Sequence, residues 1–432
     1  MSDDYHALLA RREAMRLRDR LLSPAPRAAH APGRPRAQDT AADQELITRG
    51  LARVTPFDAL IGRLYDVLFQ RHPYLRQLFP ASMDFQRSRL ERAFWFLIEH
   101  LDHPDELTAF CARLGRDHRK LGVLPVHYEL FADALTEALR RSAAGPLDQE
   151  AEQAWLRMIR LAADTMAEGA REALAEPAYW SGTVTDHQRR RQDLAVLRVR
   201  PSEPYPYRPG QYATLQTPLL PHTWRPYTVV APPGRDGELE FHVRRTGPDG
   251  VSDALVTRTG VGDTLRLGPA QGAMTLDDPL TRDVLIVAAG TGWATARALV
   301  EDLAARRAPG CSVHLYLGAR SADDVYDAPA LTRLENRHPW LRAVTVVDDG
   351  PPVAGPSALV EAMTRAAAAR GTRDVYVSGP PALVTTAVHR LTALGLPPGR
   401  IHHDPVTEAV PLAPQPWRTG APGRETVRAD LG

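Results

Sequence analysis

Cysteine is nearly absent: Cys111 and Cys311 are the only two in 432 residues, and they lie far apart. That usage argues against a disulfide scaffold, a zinc site or a cysteine-held iron–sulfur cluster, and fits a reducing cytoplasm. Long apolar runs are missing too, since none approaches the roughly eighteen residues that a bilayer span requires. The start, Met1-Ser2-Asp3-Asp4, has no apolar signal core, so no membrane span and no secretory leader are expected. Charge of one sign is also lacking. Lys and Arg total 53 against 52 Asp and Glu, a formal net charge of +1, so no global field points to nucleic acid or an anionic membrane surface. With 44% hydrophobic and 24% charged residues, the chain can bury large cores, and its length suggests about three domains.

The pattern changes character along the chain. Residues 1–44 read as a basic, largely disordered leader. It has a short helix over 5–22 and then an arm carrying Pro24, Pro26, Pro32, Gly33 and Pro35. Residues 45–176 read as all-helical: Phe57, Leu60, Ile61, Leu64 and Leu68 recur at offsets of three and four, and His72-Pro73, Phe79-Pro80, His103-Pro104 and Gly145-Pro146 punctuate the segment. Over 177–279 the period drops to two, in short runs such as Leu194 to Val199, Tyr212 to Gln216 and Leu239 to Val243, which predicts a small antiparallel barrel. Over 280–406 apolar strands (Val284 to Ala288, Val313 to Leu317, Val375 to Val377) alternate with helices, which predicts a parallel sheet. Residues 407–432, rich in Pro and Gly, read as a disordered tail.

The chemistry-bearing motifs sit at element ends. Arg208-Pro209-Gly210-Gln211-Tyr212 and Arg225-Pro226-Tyr227-Thr228 belong to strands expected side by side. There a guanidinium can hold a phosphate, a Tyr can cover a flat ring and a hydroxyl can bond its edge. Gly250-Val251-Ser252 follows, with a glycine that permits close backbone approach to a pyrophosphate. Gly290-Thr291-Gly292 joins a strand to a helix, where N-terminal amides favour a phosphate, and Ser378-Gly379-Pro380 follows another strand. Taken in order, these stretches resemble the ferredoxin-reductase-like family of FAD and NAD(P)H reductases over about residues 180–406. The resemblance implies that Arg225, Tyr227 and Thr228 bind FAD and that Gly290 and Gly292 bind the nicotinamide cofactor. Tyr212, Pro226, Gly250, Val251, Ser252, Thr291, Ser378, Gly379 and Pro380 are further cofactor-binding candidates, and Asp404 keeps the acidic residue of the terminal stretch.

The helical segment carries a second signature. Leu64-Tyr65-Asp66-Val67-Leu68-Phe69-Gln70-Arg71-His72-Pro73, then Leu78-Phe79, resembles the start of a flavohemoglobin globin domain. A lone helical His is usually structural, but a bundle closed over a flat cofactor needs one axial imidazole, and His118 is the candidate metal ligand. The resemblance implies that Tyr128 and Glu172 hold His118 from other helices and raise its basicity, which suits O–O activation. On the opposite side, Tyr65 would donate a hydrogen bond, Gln86 would assist, Leu90 would narrow the pocket and Phe79 would pack on haem. Periodicity alone would make Tyr65, Phe79 and Leu90 ordinary core residues. His127 reads as structural or exposed.

The resemblance therefore implies a nitric oxide dioxygenase with haem b, FAD and NAD(P)H, converting NO and O2 to nitrate with electrons passed through FAD. Its partners would be small molecules, with no obligatory protein partner. The alternatives are an oxygen carrier or sensor whose reductase keeps the haem ferrous, and a reductase serving another acceptor. Four positions depart from the family pattern: Asp117 where Lys is usual, Thr295 where Pro is frequent, Ser378 where Cys is frequent, and Val406 where an aromatic commonly covers the flavin. Gly318-Ala319-Arg320-Ser321 suits either a 2′-phosphate or a plain strand-end turn, with a slight lean to NADH.

Overall fold

The computed structural model describes residues 37–54, 56–143, 148–230, 237–277, 280, 282–306, 311–347, 357–369 and 373–404. The expected 5–22 helix, the Pro-rich arm up to residue 36, Val406 and the tail lie outside them. The chain divides into two compact units at Ala178/Tyr179.

The first unit is a helical bundle: Ala37–Gly50, Phe57–Arg71, Asp84–Glu99, Pro104–His118, Pro125–Ser142 and Gln149–Glu172. Two of these helices start on proline, Pro104 and Pro125, as the missing N–H and fixed φ of that residue favour. The apolar face expected on the second helix forms, with Phe57, Leu60, Ile61, Leu64 and Leu68 all buried against Phe94 and Trp155. The first helix begins inside the stretch expected to be a disordered leader. It docks through polar anchors that apolar periodicity does not register. Arg157 donates to Asp43 at 2.9 Å, Gln44 donates to the Ile98 carbonyl at 2.8 Å, and Ile47 is buried beneath them.

The second unit contains an antiparallel barrel and a parallel sheet. The barrel strands are β1 (Trp180–Arg191), β2 (Leu194–Pro201), β3 (Tyr212–Gln216), β4 (Arg225–Thr228), β5 (Leu239–Arg244) and β6 (Thr264–Leu267), in the order β4-β3-β6-β1-β2-β5. Val230 N donates to the Glu240 carbonyl at 3.0 Å, so the two outer strands meet and the sheet nearly closes on a core of Val184, Leu197, Phe241 and Leu267.

Strands β7 (Asp283–Ala289), β8 (Val313–Ala319), β9 (Leu341–Val347), β10 (Arg373–Ser378) and β11 (Ile401–His402) form a parallel sheet in the order β11-β10-β7-β8-β9. In β7, Val284, Ile286 and Ala288 face one buried cluster while Leu285 and Val287 face the other. Both faces are covered, which explains a continuous apolar strand. The strand order reverses between β7 and β10, and ligands enter such sheets beyond the strand ends at that reversal.

Candidate functional site

In the first unit, a close helix crossing fixes the candidate ligand. A Cβ added at Gly115 would lie 1.9 Å from the Met166 carbonyl oxygen, and one at Gly169 would lie 2.3 Å from that of Ala112. Backbones can approach this closely only where side chains are missing. His118 ends the helix one turn beyond Gly115, and the turn after it is tied down by Arg119, which donates to the carbonyls of Ala173 (2.6 Å) and Glu176 (2.8 Å). His118 Nδ1 is 2.7 Å from the Leu114 carbonyl. A carbonyl can only accept, so Nδ1 carries the proton and Nε2 presents its lone pair, the arrangement of a metal-ligating imidazole. Burial lowers the His118 pKa, against the opposing pull of the Leu114 bond and Asp117, and this favours the neutral ring.

Tyr65 is 5% exposed, stacked on Phe69 at 5.8 Å and edge-on to Phe79 at 5.6 Å. Phe79 is held by Arg76, which donates to the carbonyls of Phe79, Pro80 and Ala81. Burial raises the Tyr65 phenol well above its usual range, so it stays a neutral O–H donor, and it bonds to no described residue. Gln86 and Leu90 lie four apart on Asp84–Glu99, both half-buried. Arg87 and Arg89 of that helix act electrostatically on Tyr65 and His118 respectively. One imidazole with a free Nε2, a buried tyrosine, and partly buried Phe79, Leu90, Leu114 and Phe131 resting on the same core fit a haem.

The expected hold on His118 by Tyr128 and Glu172 is not assembled. No hydrogen bond joins the three among the described residues, and Glu172 is exposed. Tyr128 is half-buried, its phenol pushed up to about 12 by burial. The Nδ1 proton is already given to Leu114 within the same helix, so neither residue has a proton to receive. His127 serves its helix start, accepting from Leu124 N at 3.1 Å. Asp117, where Lys was the expected type, pairs with the buried Lys120.

In the second unit, β3 and β4 run side by side as expected, pairing Tyr212 with Thr228 and Ala213 with Tyr227. Gly210 has φ +91°, and a Cβ there would meet the Met274 carbonyl oxygen at 1.8 Å, so only glycine serves this turn into β3. Tyr227 is half-buried, and burial raises its phenol. Arg225 donates to the Trp224 carbonyl at 2.9 Å, and Pro226 is exposed. Gly250 precedes the short helix Val251–Thr257, and a Cβ there would meet almost nothing, leaving open space over its backbone. Val251 is 2% exposed in the barrel core, so only its backbone can serve a ligand, while the Ser252 hydroxyl is taken by Thr246.

Gly290, Thr291 and Gly292 end β7, and Ser378, Gly379 and Pro380 end β10, one on each side of the strand reversal. A Cβ on Gly292 would fall 2.2 Å from the Ser378 carbonyl oxygen, so that glycine serves the packing of the two strand ends. Thr228, Thr295 and Ser378 form a row of hydroxyls at 3.0 and 3.1 Å. Asp404 accepts from Ala273 N at 3.2 Å, beside Tyr212, and burial raises its carboxyl to about 6.

Sequence reasoning did not single out Trp293, Tyr326 or Asp327, which line a cavity with Gly290 and Leu317 to Ala319. Behind it, Tyr326 Oη is 2.7 Å from His242 Nδ1, and Arg297 reaches Glu240 at 2.8 Å. The Ser321 hydroxyl is taken by Asp324 at 3.1 Å, so it is part of a strand-end turn.

Comparison with known proteins agrees with this division. Residues 62–166 match the Globin family model, 181–275 the oxidoreductase FAD-binding domain and 286–389 the oxidoreductase NAD-binding domain. A ferredoxin–NAD(P)(+) reductase component of Ralstonia naphthalene 1,2-dioxygenase/salicylate 5-hydroxylase systems is 34% identical, covering 52% of this chain and 67% of its own length. The flavohemoprotein of Chromobacterium violaceum is 25% identical over 80% of this chain and 92% of its own. The crystal structure of a Malassezia yamatoensis flavohemoglobin with bound FAD and heme superposes with a TM-score of 0.68 at 18% identity. That match covers 84% of this chain and 98% of the other.

Proposed function

Because the chain belongs to the ferredoxin-reductase-like flavoproteins and carries a globin domain ahead of that reductase, the flavohemoglobin architecture, we propose that it is an NAD(P)H-dependent nitric oxide dioxygenase. The observation that carries this reading is the His118 imidazole, neutral and with Nε2 free, in a bundle that also buries Tyr65. Bound haem supplies one-electron chemistry on diatomic gases, and bound FAD the splitting of a nicotinamide hydride into single electrons. His118 would hold the haem iron, with the Leu114 carbonyl fixing the ring's tautomer. Tyr65 keeps a proton donor in the pocket and so favours a ligand that accepts a hydrogen bond, while Leu90 and Phe79 exclude water. Tyr212, Tyr227 and Thr228 would hold the flavin from β3 and β4, and Gly290 and Gly379 leave the crevice open for the nicotinamide.

A second reading, oxygen carriage with the reductase keeping haem ferrous, is favoured by one observation. A carbonyl behind His118 donates less charge to the imidazole than a carboxylate relay would. Nitrate formed during aerobic NADH oxidation with NO separates the two. We expect nitrate in step with NO consumed, and NO binding without nitrate would leave carriage. His118→Ala should lose the haem absorption and nitrate formation while NADH still reduces the flavin, and a variant with full haem content would remove His118 as the ligand.

A further inference from the structure

Where the barrel meets the parallel sheet, three hydroxyls stand in a row, of which the reading above uses only Thr228. Thr228 closes β4, Thr295 sits in the first turn of the helix Trp293–Arg306, and Ser378 ends β10. Thr295 Oγ1 is 3.0 Å from Thr228 Oγ1 and accepts from Ser378 Oγ at 3.1 Å. Thr295 is 2% exposed, and the other two are half-buried.

A threonine inside a helix ordinarily returns its proton to the carbonyl four residues back. Thr136, Thr165, Thr332, Thr364 and Thr386 of this chain all do so. Thr295 instead bonds across to two other elements, so its hydroxyl is not satisfying its own helix. A row of hydroxyls also has a direction, because each oxygen owns one proton. With Ser378 donating into Thr295, Thr295 has its own proton to give to Thr228. Thr228, now an acceptor, keeps its own proton for a partner outside the row. Two departures noted in the sequence thereby become one feature: proline at 295 would bring no hydroxyl, and a thiol at 378 would be a weak donor.

We propose that Thr295 is a positioning residue of the reductase which, with Ser378 behind it, fixes the Thr228 hydroxyl as a hydrogen-bond donor to the flavin. This rests on the reading of Thr228 as a flavin-side residue. The relay ties the flavin strand of the barrel to the nicotinamide end of β10, so loss of one hydroxyl is felt at the other.

The test uses the full-length, FAD-loaded protein. Thr295→Val keeps the shape and removes the hydroxyl. It should leave FAD occupancy and NADH affinity within about twofold of wild type, shift the visible absorption bands of the oxidised flavin, and slow single-turnover flavin reduction by NADH about tenfold, the scale of one hydrogen bond. Thr295→Ser should restore both spectrum and rate. Ser378→Ala should move both in the same direction by about threefold in rate, and the Thr295→Val/Ser378→Ala pair should be no slower than Thr295→Val alone. An unchanged flavin spectrum and rate in Thr295→Val would overturn the relay, as would multiplicative slowing in the pair. Thr228→Val separates the two levels. If it moves the flavin spectrum while Thr295→Val does not, the relay alone fails; if it moves neither spectrum nor occupancy, the flavin-side reading of Thr228 fails and the relay falls with it.

Discussion

Asp404 is the residue where the flavin strand meets titration near neutrality. Burial beside Tyr212 raises its carboxyl from 3.8 to about 6. A group whose folded pKa lies above its unfolded value stabilises the fold fully below the unfolded value, and that contribution is lost as pH rises through about 6. Asp404→Asn should therefore flatten the fall in stability between pH 4 and 6, read from urea unfolding midpoints across that range; an unchanged slope would assign it to another group. At this scale the sequence revealed side chains and hid backbone. Tyr65 and His118 were singled out through the family resemblance, since residue type alone left one a core aromatic and the other an ordinary helical histidine. The acceptor behind His118 was not, because it is the Leu114 carbonyl, and every residue has a carbonyl. Glu172 matched a family position and points to solvent instead.

Among the elements, the helix pair Pro104–His118 and Gln149–Glu172 sets the haem side of the molecule through Gly115 and Gly169. Gly115→Ala places a methyl against the Met166 carbonyl, which neither backbone can yield without separation. Overpacking of this kind costs about 1–3 kcal/mol. The expected outcome is a lowered unfolding temperature together with reduced haem absorbance per chain; full haem content at unchanged stability would show that the crossing relaxes freely. Strands β7, β8 and β10 were readable as apolar runs because both sheet faces are buried. The helix Ala37–Gly50 was not, because Asp43 and Gln44 dock it through Arg157 and the Ile98 carbonyl where an apolar stripe was the signal sought.

For the molecule as a whole, the order of helical bundle, barrel and parallel sheet follows from a period that changes from 3.6 to 2 and then to alternating segments. What joins barrel to sheet inside the second unit was hidden, since it depends on residues far apart in sequence. Burial alone would raise Glu240, yet the His242 hydrogen bond and the Arg297 and Arg198 guanidinia outweigh it and hold the carboxyl at about 2. A depressed folded pKa contributes stability above the unfolded value, 4.5, that is lost as pH falls toward 2. Glu240→Gln should thus cost on the order of 3 kcal/mol at pH 7 and progressively less below pH 4. Urea unfolding of both proteins at pH 7 and pH 3 checks this, and an equal cost at both would exclude the ionic contribution.

The His118 nitrogen that would hold iron under the proposed reading owes its readiness to a partner on its own helix, one turn away. Wherever that single turn has formed, the imidazole already shows its lone pair outward, before distant helices arrive. A prosthetic group would then meet an imidazole whose tautomer no distant helix has to set.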